Sequence, residues 1–551
     1  MGAPSEARER RTRRWLLLLA ALVFVALRLP YLPLPLDRDE GEYAYIAWRI
    51  LEGDVPYRDA FDQKPPAIFA AYLGVFATLG RSAEAIHGLA ALWSALTAWL
   101  LYAVVARLGG ALAGACAVLV FAAIAAHPAL GATAANTELF LLLPAVASFL
   151  ALLRGLASES PKWWLLCGAM GVLACWFKQV AATNFAFVLA VAALTQGSPP
   201  RAGAAADGVG APARAARRLG WIALGAAAAV LPVLGVFAAA DALEPFIDAV
   251  FLHNLEYAGR RTLSQGLDNL FGILLHQAPA LIGVWLLALA GLLHPAAAGG
   301  RVRALLGGWL LSSLLGASVG LQFRPHYFVQ TLPPLCALAG LGLAALVRRA
   351  LRLEPRALGA LALAGLAVAL LLPPLLAQRD SLFASSPAAA SRALYGWNPF
   401  AVAPEIARHI AGTSASDETV YVVGSEPELL FQAERRSATR YIFFYPLTGG
   451  GPRAASRQRE AMQEVRAARP GYVVVVDVST SLLASDETDP WIFQATDQLL
   501  ADEYRLELLA RPDDAQQSYV LEYGADALRW LRRQRSEPDA LPLIEVYRRM
   551  N

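Results

Sequence analysis

Charge is the first thing this chain is short of. Only 17% of its 551 residues are Asp, Glu, Lys or Arg, against 57% hydrophobic, and the mean hydropathy is +0.45. Soluble globular domains carry about a quarter charged residues, so the composition excludes one and fits a polytopic membrane protein. Cysteine is scarce too. Cys116, Cys167, Cys175 and Cys336 all lie inside apolar runs, which argues against a disulfide framework and a cysteine-based metal site. The net charge of +3 comes from arginines scattered among loops, with no basic face for a nucleic acid. No Asp or Glu falls in the middle of an apolar run, and no clear repeat relates two halves of the chain. A transporter or lipid flippase would show mid-span charge and paired broken helices.

Apolar runs are what the chain has in quantity. A spanning helix takes about 20 mostly apolar residues. Candidate spans fall at 15–35, 84–106, 110–127, 138–153, 162–177, 180–195, 219–239, 277–296, 304–321, 329–347 and 358–377. The first follows RERRTRR and has no Ala-x-Ala cleavage pattern, so it reads as an anchor rather than a signal peptide. With the N-terminus inside, every inner segment is basic: Arg8 to Arg14, Arg107, Arg154 and Lys162, the arginines of 201–218, Arg301 and Arg303, and Arg348 to Arg356. Eleven spans then put the C-terminus outside.

Residues 197–218 (GSPPRAGAAADGVGAPARAARR) read as a disordered inner linker. The expected organisation is a membrane module over 1–377 and an outer α/β domain over 378–551. In the latter, TVYVVG (419–424), TRYIFFY (439–445) and YVVVVDV (472–478) read as buried strands. They alternate with the helical stretches EPELLFQAE and RAASRQREAMQEVRAAR. VVGSEPE lacks the second and third glycines of a dinucleotide fingerprint.

The scarce charge is concentrated after the first span. LDRDEGEYAYIAWRILEGDVPYRDAFDQKPPAIF (36–69) holds twelve acidic or basic side chains, in knots at Asp37-Arg38-Asp39-Glu40 and from Arg58 to Lys64. Tyr43, Ile46, Ala47, Ile50 and Leu51 form an apolar helical stripe, which predicts an amphipathic helix lying in the headgroup plane. Lys64 precedes Pro65-Pro66 and an apolar run, so it should stand just before a helix N-terminus at the membrane surface, a natural seat for a phosphate. Sugar transfer from a polyprenyl phosphate uses these parts. Asp39 would orient an acceptor hydroxyl and take its proton late, while Lys64 offsets charge on the departing phosphate. The plain alternative is a solvated charged loop with Lys64 snorkelling.

DRDEGEYAYIAWRILEGDVPYRDAFDQKPP resembles the first outer loop of the GT-C superfamily of polyprenyl-phosphate-sugar glycosyltransferases, the bacterial relatives of protein O-mannosyltransferases that include ArnT-like and Rgt-like enzymes. The features are an Asp-Glu pair after the first span, an aromatic-bearing helix and Lys-Pro-Pro before the next apolar segment. The resemblance implies a polytopic α-helical GT-C-type fold with a small outer C-terminal domain. It places the base on Asp39, beside Glu40, and the lipid-phosphate contact on Lys64. Tyr43, Arg58 and Asp62 become substrate contacts.

Three further stretches fit it. In ANTELFLLLP (135–144) Glu138 suits a capped helix start, and the resemblance makes it a second acid that holds the acceptor or, with Asp39, a divalent ion. Metal use stays open. Lys178 in WFKQVAATN either snorkels or meets the phosphate. FRPHYFVQTLPP (323–334) offers Arg324 and His326 as donors to phosphate or sugar, with Tyr327 at the substrate or in an aromatic belt. FLHNLEYAGRRTL belongs to a long outer loop, roughly 240–276, in which His253, Asn254, Tyr257, Arg260 and Arg261 are acceptor contacts or plain surface. The expected activity is inverting transfer to an acceptor outside the cytoplasm, in a bacterial inner membrane. Rival readings are a polymerase or ligase of polyprenyl-diphosphate glycans, and a non-enzymatic transporter.

Overall fold

The structure is a computed structural model and describes residues 3–195, 210–259, 261–513, 518–534 and 543–550. Each of the eleven apolar runs coincides with a helix: Ala3–Arg28, Ala83–Gly109, Ala111–Ile124, Leu142–Ser158, Pro161–Phe177, Ala182–Leu194, Ala211–Ala239, Leu263–Leu293, Gly300–Ser318, Leu332–Ala350 and Arg356–Ala377. Eight helices among the described residues are long and apolar enough to cross a membrane. Leucines such as Leu22, Leu231, Leu286 and Leu361 stay exposed along them, as a lipid-facing surface requires. The second and third helices are joined by a single residue, Gly110, at φ +90, a conformation that L side chains rarely adopt.

Two expectations at the bundle's margins change. The linker read over 197–218 is helical from Ala211, because ARAARRLGW continues the period of the span behind it. Residues 197–209 of that linker lie outside the described residues. The long outer loop shrinks as well, since a helix already starts at Leu263, capped reciprocally by Thr262 and Gln265.

After the last span the chain builds a five-stranded sheet from β1 (Val420–Val423), β2 (Tyr472–Asp477), β3 (Tyr504–Asp513), β4 (Ser518–Tyr523) and β5 (Leu543–Arg549). The order is β1-β2-β5-β3-β4, with β1 and β2 parallel and the other pairs antiparallel. TRYIFFY is not a strand. It is buried, but other groups take its backbone: Arg440 N–H donates to Glu464, Phe444 N–H to Ser425 Oγ, and Arg440 C=O accepts from Phe61 N–H at 2.8 Å. The last of these ties the sheet region to the first outer loop.

That loop begins with the helix Arg38–Leu51, opened by a capping box in which Asp37 and Glu40 each accept the other's backbone N–H at 3.0 Å. The expected amphipathic helix in the headgroup plane is corrected here. Residues from Glu40 to Trp48 are buried all round, because the helix Pro427–Ala433 covers the face meant for water. Gly41 permits the approach, since a Cβ there would stand 2.5 Å from Glu428 Cβ. Arg38 completes the clamp, donating to Ser425 O and to Glu426, both at 2.7 Å.

Candidate active site

Four span ends meet at one end of the bundle. Asp39 follows the first span, Glu138 opens the helix Thr137–Phe140, Lys178 lies between Pro161–Phe177 and Ala182–Leu194, and His326 opens the turn Pro325–Thr331 that leads into Leu332–Ala350. Lys64 comes from the loop ahead of Ala67–Thr78, two residues before its N-cap, Pro66.

Helical spacing sorts the side chains of Arg38–Leu51. Asp39, Glu42 and Tyr43 share one face at i, i+3 and i+4, and all three turn to Lys64. Its Nζ lies 3.5 Å from Asp39 Oδ1, 3.7 Å from Glu42 Oε2 and 5.2 Å from the centre of the Tyr43 ring. Asp39 Oδ2 accepts from Asn136 Nδ2 at 3.0 Å, while Asn136 Oδ1 accepts from the Tyr43 hydroxyl and caps Thr137. Asn136 thus links the first acid to the second. Glu138 accepts from Lys178 and from the Thr137 hydroxyl, and His326 Nε2 stands 3.5 Å away. The Lys178 ammonium sits 4.5 Å over the Tyr327 ring. Asp39 and His326 keep the most exposed side chains of this group, at 24% and 28%, and mark its open side.

The electrostatics divide the acids. Burial opposes ionisation of Asp39, but Lys64, His326 and Lys178 outweigh it and bring the carboxyl down to about 2. Burial also works against the Lys64 charge, yet Asp39, Tyr43, Glu42 and Asp62 hold its pKa well above the ordinary value. Burial and the neighbouring Asp62 push Glu42 well above the carboxylate range. Burial brings Asp62 up to about 6 against the pull of Lys64, to whose backbone N–H it is bound at 2.8 Å.

Of the residues expected from sequence, Asp39, Glu138, Lys64, Lys178, His326, Tyr43, Asp62 and Tyr327 come together. Arg324 is next to them, exposed, and no hydrogen bond or ion pair fixes its guanidinium among the described residues. Glu40 and Arg58 do not join. The Glu40 carboxylate turns the other way and accepts from Ala135 N–H at 2.6 Å, while His87 Nε2 lies 2.9 Å from it. Arg58 pairs with Asp59 and donates to Ala240 O. In the long outer loop, Asn254 donates to Gln63 O at 2.7 Å, joined there by Gln179, and steadies the Lys64 loop. His253 is buried against Arg457 of the sheet region, and Arg261 donates to Gln322. Tyr257 lies close enough to Tyr327 to act on its hydroxyl; Arg260 lies outside the described residues.

Sequence reading missed Glu42, Asn136 as a bridge, and Tyr445. The spacing of Asp39, Glu42 and Tyr43 was signal enough for the first. Tyr445 carried no local signal: it comes from the sheet region, near enough for Asp39 and Arg324 to act on its hydroxyl. Among the described residues no three His, Cys, Asp or Glu side chains are arranged to hold a metal ion. Asp39 and Glu138 are each already engaged by an ammonium, so the residues present do not fit a divalent ion between them.

Residues 63–201 match the family model of dolichyl-phosphate-mannose-protein mannosyltransferases. The match starts one residue before Lys64 and takes in Glu138 and Lys178, but not Asp39. No curated protein matches the chain. Among solved structures it is similar to ArnT from Cupriavidus metallidurans bound to undecaprenyl phosphate, at 16% identity over 97% of this chain and 98% of that one, with a TM-score of 0.58. The apo state of ArnT gives 0.54 at the same identity and coverage. The archaeal oligosaccharyltransferase AglB from Archaeoglobus fulgidus, in complex with an inhibitory peptide and a dolichol-phosphate, is 15% identical over 94% of this chain and 74% of that one, with a TM-score of 0.50. At these identities the likeness is one of fold. The chain is a multi-pass membrane protein with an ArnT-like fold, and its segment 63–201 carries the sequence pattern of the dolichyl-phosphate-mannose-protein mannosyltransferase family.

Proposed function

We propose that this protein transfers a sugar from a polyprenyl-phosphate donor to an acceptor outside the cytoplasm, with inversion at the anomeric carbon. The observation that carries the reading is the pairing of an ionised Asp39 with Lys64 at 3.5 Å, where four span ends converge beside a second ammonium, Lys178. At that depth a polyprenyl tail stays in the bilayer while its phosphate reaches the cations. The ligands of the two structural neighbours, undecaprenyl phosphate on ArnT and a dolichol-phosphate on AglB, support a donor of this class.

The chemistry follows from the charges. The acceptor oxygen bonds to the anomeric carbon as the bond from that carbon to the phosphate oxygen breaks. The acceptor proton passes to Asp39, and the electron pair leaves with the phosphate. A carboxyl titrating at about 2 is a weak base, so it takes the proton only as the new bond forms and the hydroxyl turns acidic. Lys64, Lys178, Arg324 and His326 stabilise the departing phosphate, and such preorganised donors are worth about 3–4 kcal/mol each. Glu138 aims Lys178 and His326; Tyr43 and Tyr327 border the sugar. Glu40 serves the fold of this loop.

The membrane module, 1–377, holds the donor in this reading. The region 378–551 roofs the site and meets the acceptor, a cell-envelope glycan, a lipid such as lipid A, or a protein, on the outer face of a bacterial inner membrane. Purified protein in lipid, given a panel of labelled polyprenyl-phosphate sugars, tests it. Transfer from one donor that falls by about 10²–10³ in Asp39→Asn is the expected result. Turnover only of polyprenyl-diphosphate glycans would favour the polymerase or ligase reading, and lipid movement without turnover the transporter.

A further inference from the structure

We infer that Glu42 and Asp62 form a proton-sharing acid pair that aims Lys64 and lets pH set how firmly it holds a phosphate; this rests on the reading of Lys64 as the donor-phosphate contact. Glu42 is 2% exposed and Asp62 1%. Each lies close enough to the other to act on its charge. Glu42 Oε2 and Asp62 Oδ2 are buried with no hydrogen-bond partner among the described residues. Two carboxyl groups can face each other in a dry pocket only if one of them keeps a proton.

Lys64 ties the pair to the site. Its backbone N–H is bound by Asp62 Oδ1 at 2.8 Å, and its Nζ stands 3.7 Å from Glu42 Oε2, just beyond hydrogen-bond reach. The groups that face the pair are Asp39 and Tyr43 from its own helix side, and Tyr57 and Lys64 from the loop. With the pair fully ionised, three carboxylates would surround one ammonium and a donor phosphate would compete with all of them. Each proton on the pair removes one competitor. Burial raises both carboxyls, Asp62 to about 6, so the pair takes up protons at higher pH than free carboxylates do. Neither acid touches the reacting atoms; both are positioning residues.

The test measures binding of sugar-free polyprenyl phosphate to the protein in nanodiscs from pH 6 to 9, for wild type, Glu42→Gln and Asp62→Asn. Glutamine can donate to Asp62 as a protonated glutamate does, and asparagine can still accept from the Lys64 N–H, so both variants keep the buried contacts. The ligand's own titration is common to all three. Wild-type affinity should fall about tenfold more over this range than that of either variant, one pKa unit of coupling between proton and phosphate. Identical slopes in all three would overturn the pair, and so would loss of binding in Glu42→Gln at pH 6. If wild type transfers no sugar from any donor yet shows the expected pH pattern of binding, the pair stands and the proposed reaction falls.

Discussion

Lys64 and Lys178 are two of only three lysines in a chain with 47 lysines and arginines, and both stand at the candidate site. Arginine serves nearly everywhere else, so these positions ask for a compact point charge rather than a planar fork. Lys64 fits between the carboxylates of Asp39 and Glu42 and the Tyr43 ring, where a guanidinium would have to displace one of them. Lys64→Arg should therefore fail to restore transfer, leaving less than about a tenth of wild-type kcat/KM, roughly the tenfold that 1.4 kcal/mol represents. Steady-state kinetics of the two proteins decide it, and near-normal turnover in Lys64→Arg would mean that charge alone matters. Asp39 also has a stability consequence. Its carboxyl is depressed from 3.8 to about 2, so the stabilisation it contributes is present above pH 3.8 and lost as pH falls through about 2.

At the scale of elements, the helix Arg38–Leu51 decides where the acids point. Its apolar stripe from Tyr43 to Leu51 was legible in the sequence. Its burial on all sides was not, because the covering helix Pro427–Ala433 lies almost 400 residues further along the chain. The spans were legible for the opposite reason: lipid imposes one long apolar period on each, with no distant partner needed. TRYIFFY misled because a buried aromatic run looks alike whether a sheet or side chains take up its backbone. Strands β3, β4 and β5 passed unnoticed among charged residues such as Arg505, Glu507, Glu522 and Glu545. At Gly41 the two parts pack without room for a side chain, since a Cβ there would stand 2.5 Å from Glu428 Cβ. Gly41→Ala should part the helices and destabilise the protein by about 1–3 kcal/mol, the usual range for overpacking. Thermal unfolding in detergent, with limited proteolysis of the region after 378, measures this; an unchanged midpoint would show that the helices yield freely.

At the scale of the molecule, the charge pattern and the converging span ends agree on one arrangement. Asp39, Glu138, Lys178 and His326 occupy the ends opposite the basic segments at Arg107, Arg154 and Arg301. On the proposed reading, the N-terminus lies inside and the sheet region outside. Single cysteines introduced at exposed Asp417 and Ser158 should report it, with an impermeant thiol reagent on intact cells labelling the first and not the second. The opposite pattern would invert the whole topology.

The central claim is that Asp39 and Lys64 act together on a polyprenyl-phosphate sugar. It is tested most directly by label transfer from a panel of such donors in lipid, with wild type beside Asp39→Asn and Lys64→Ala. The account predicts one productive donor and a loss of about 10²–10³ in each folded variant. Transfer at near-normal rates by both variants would contradict it.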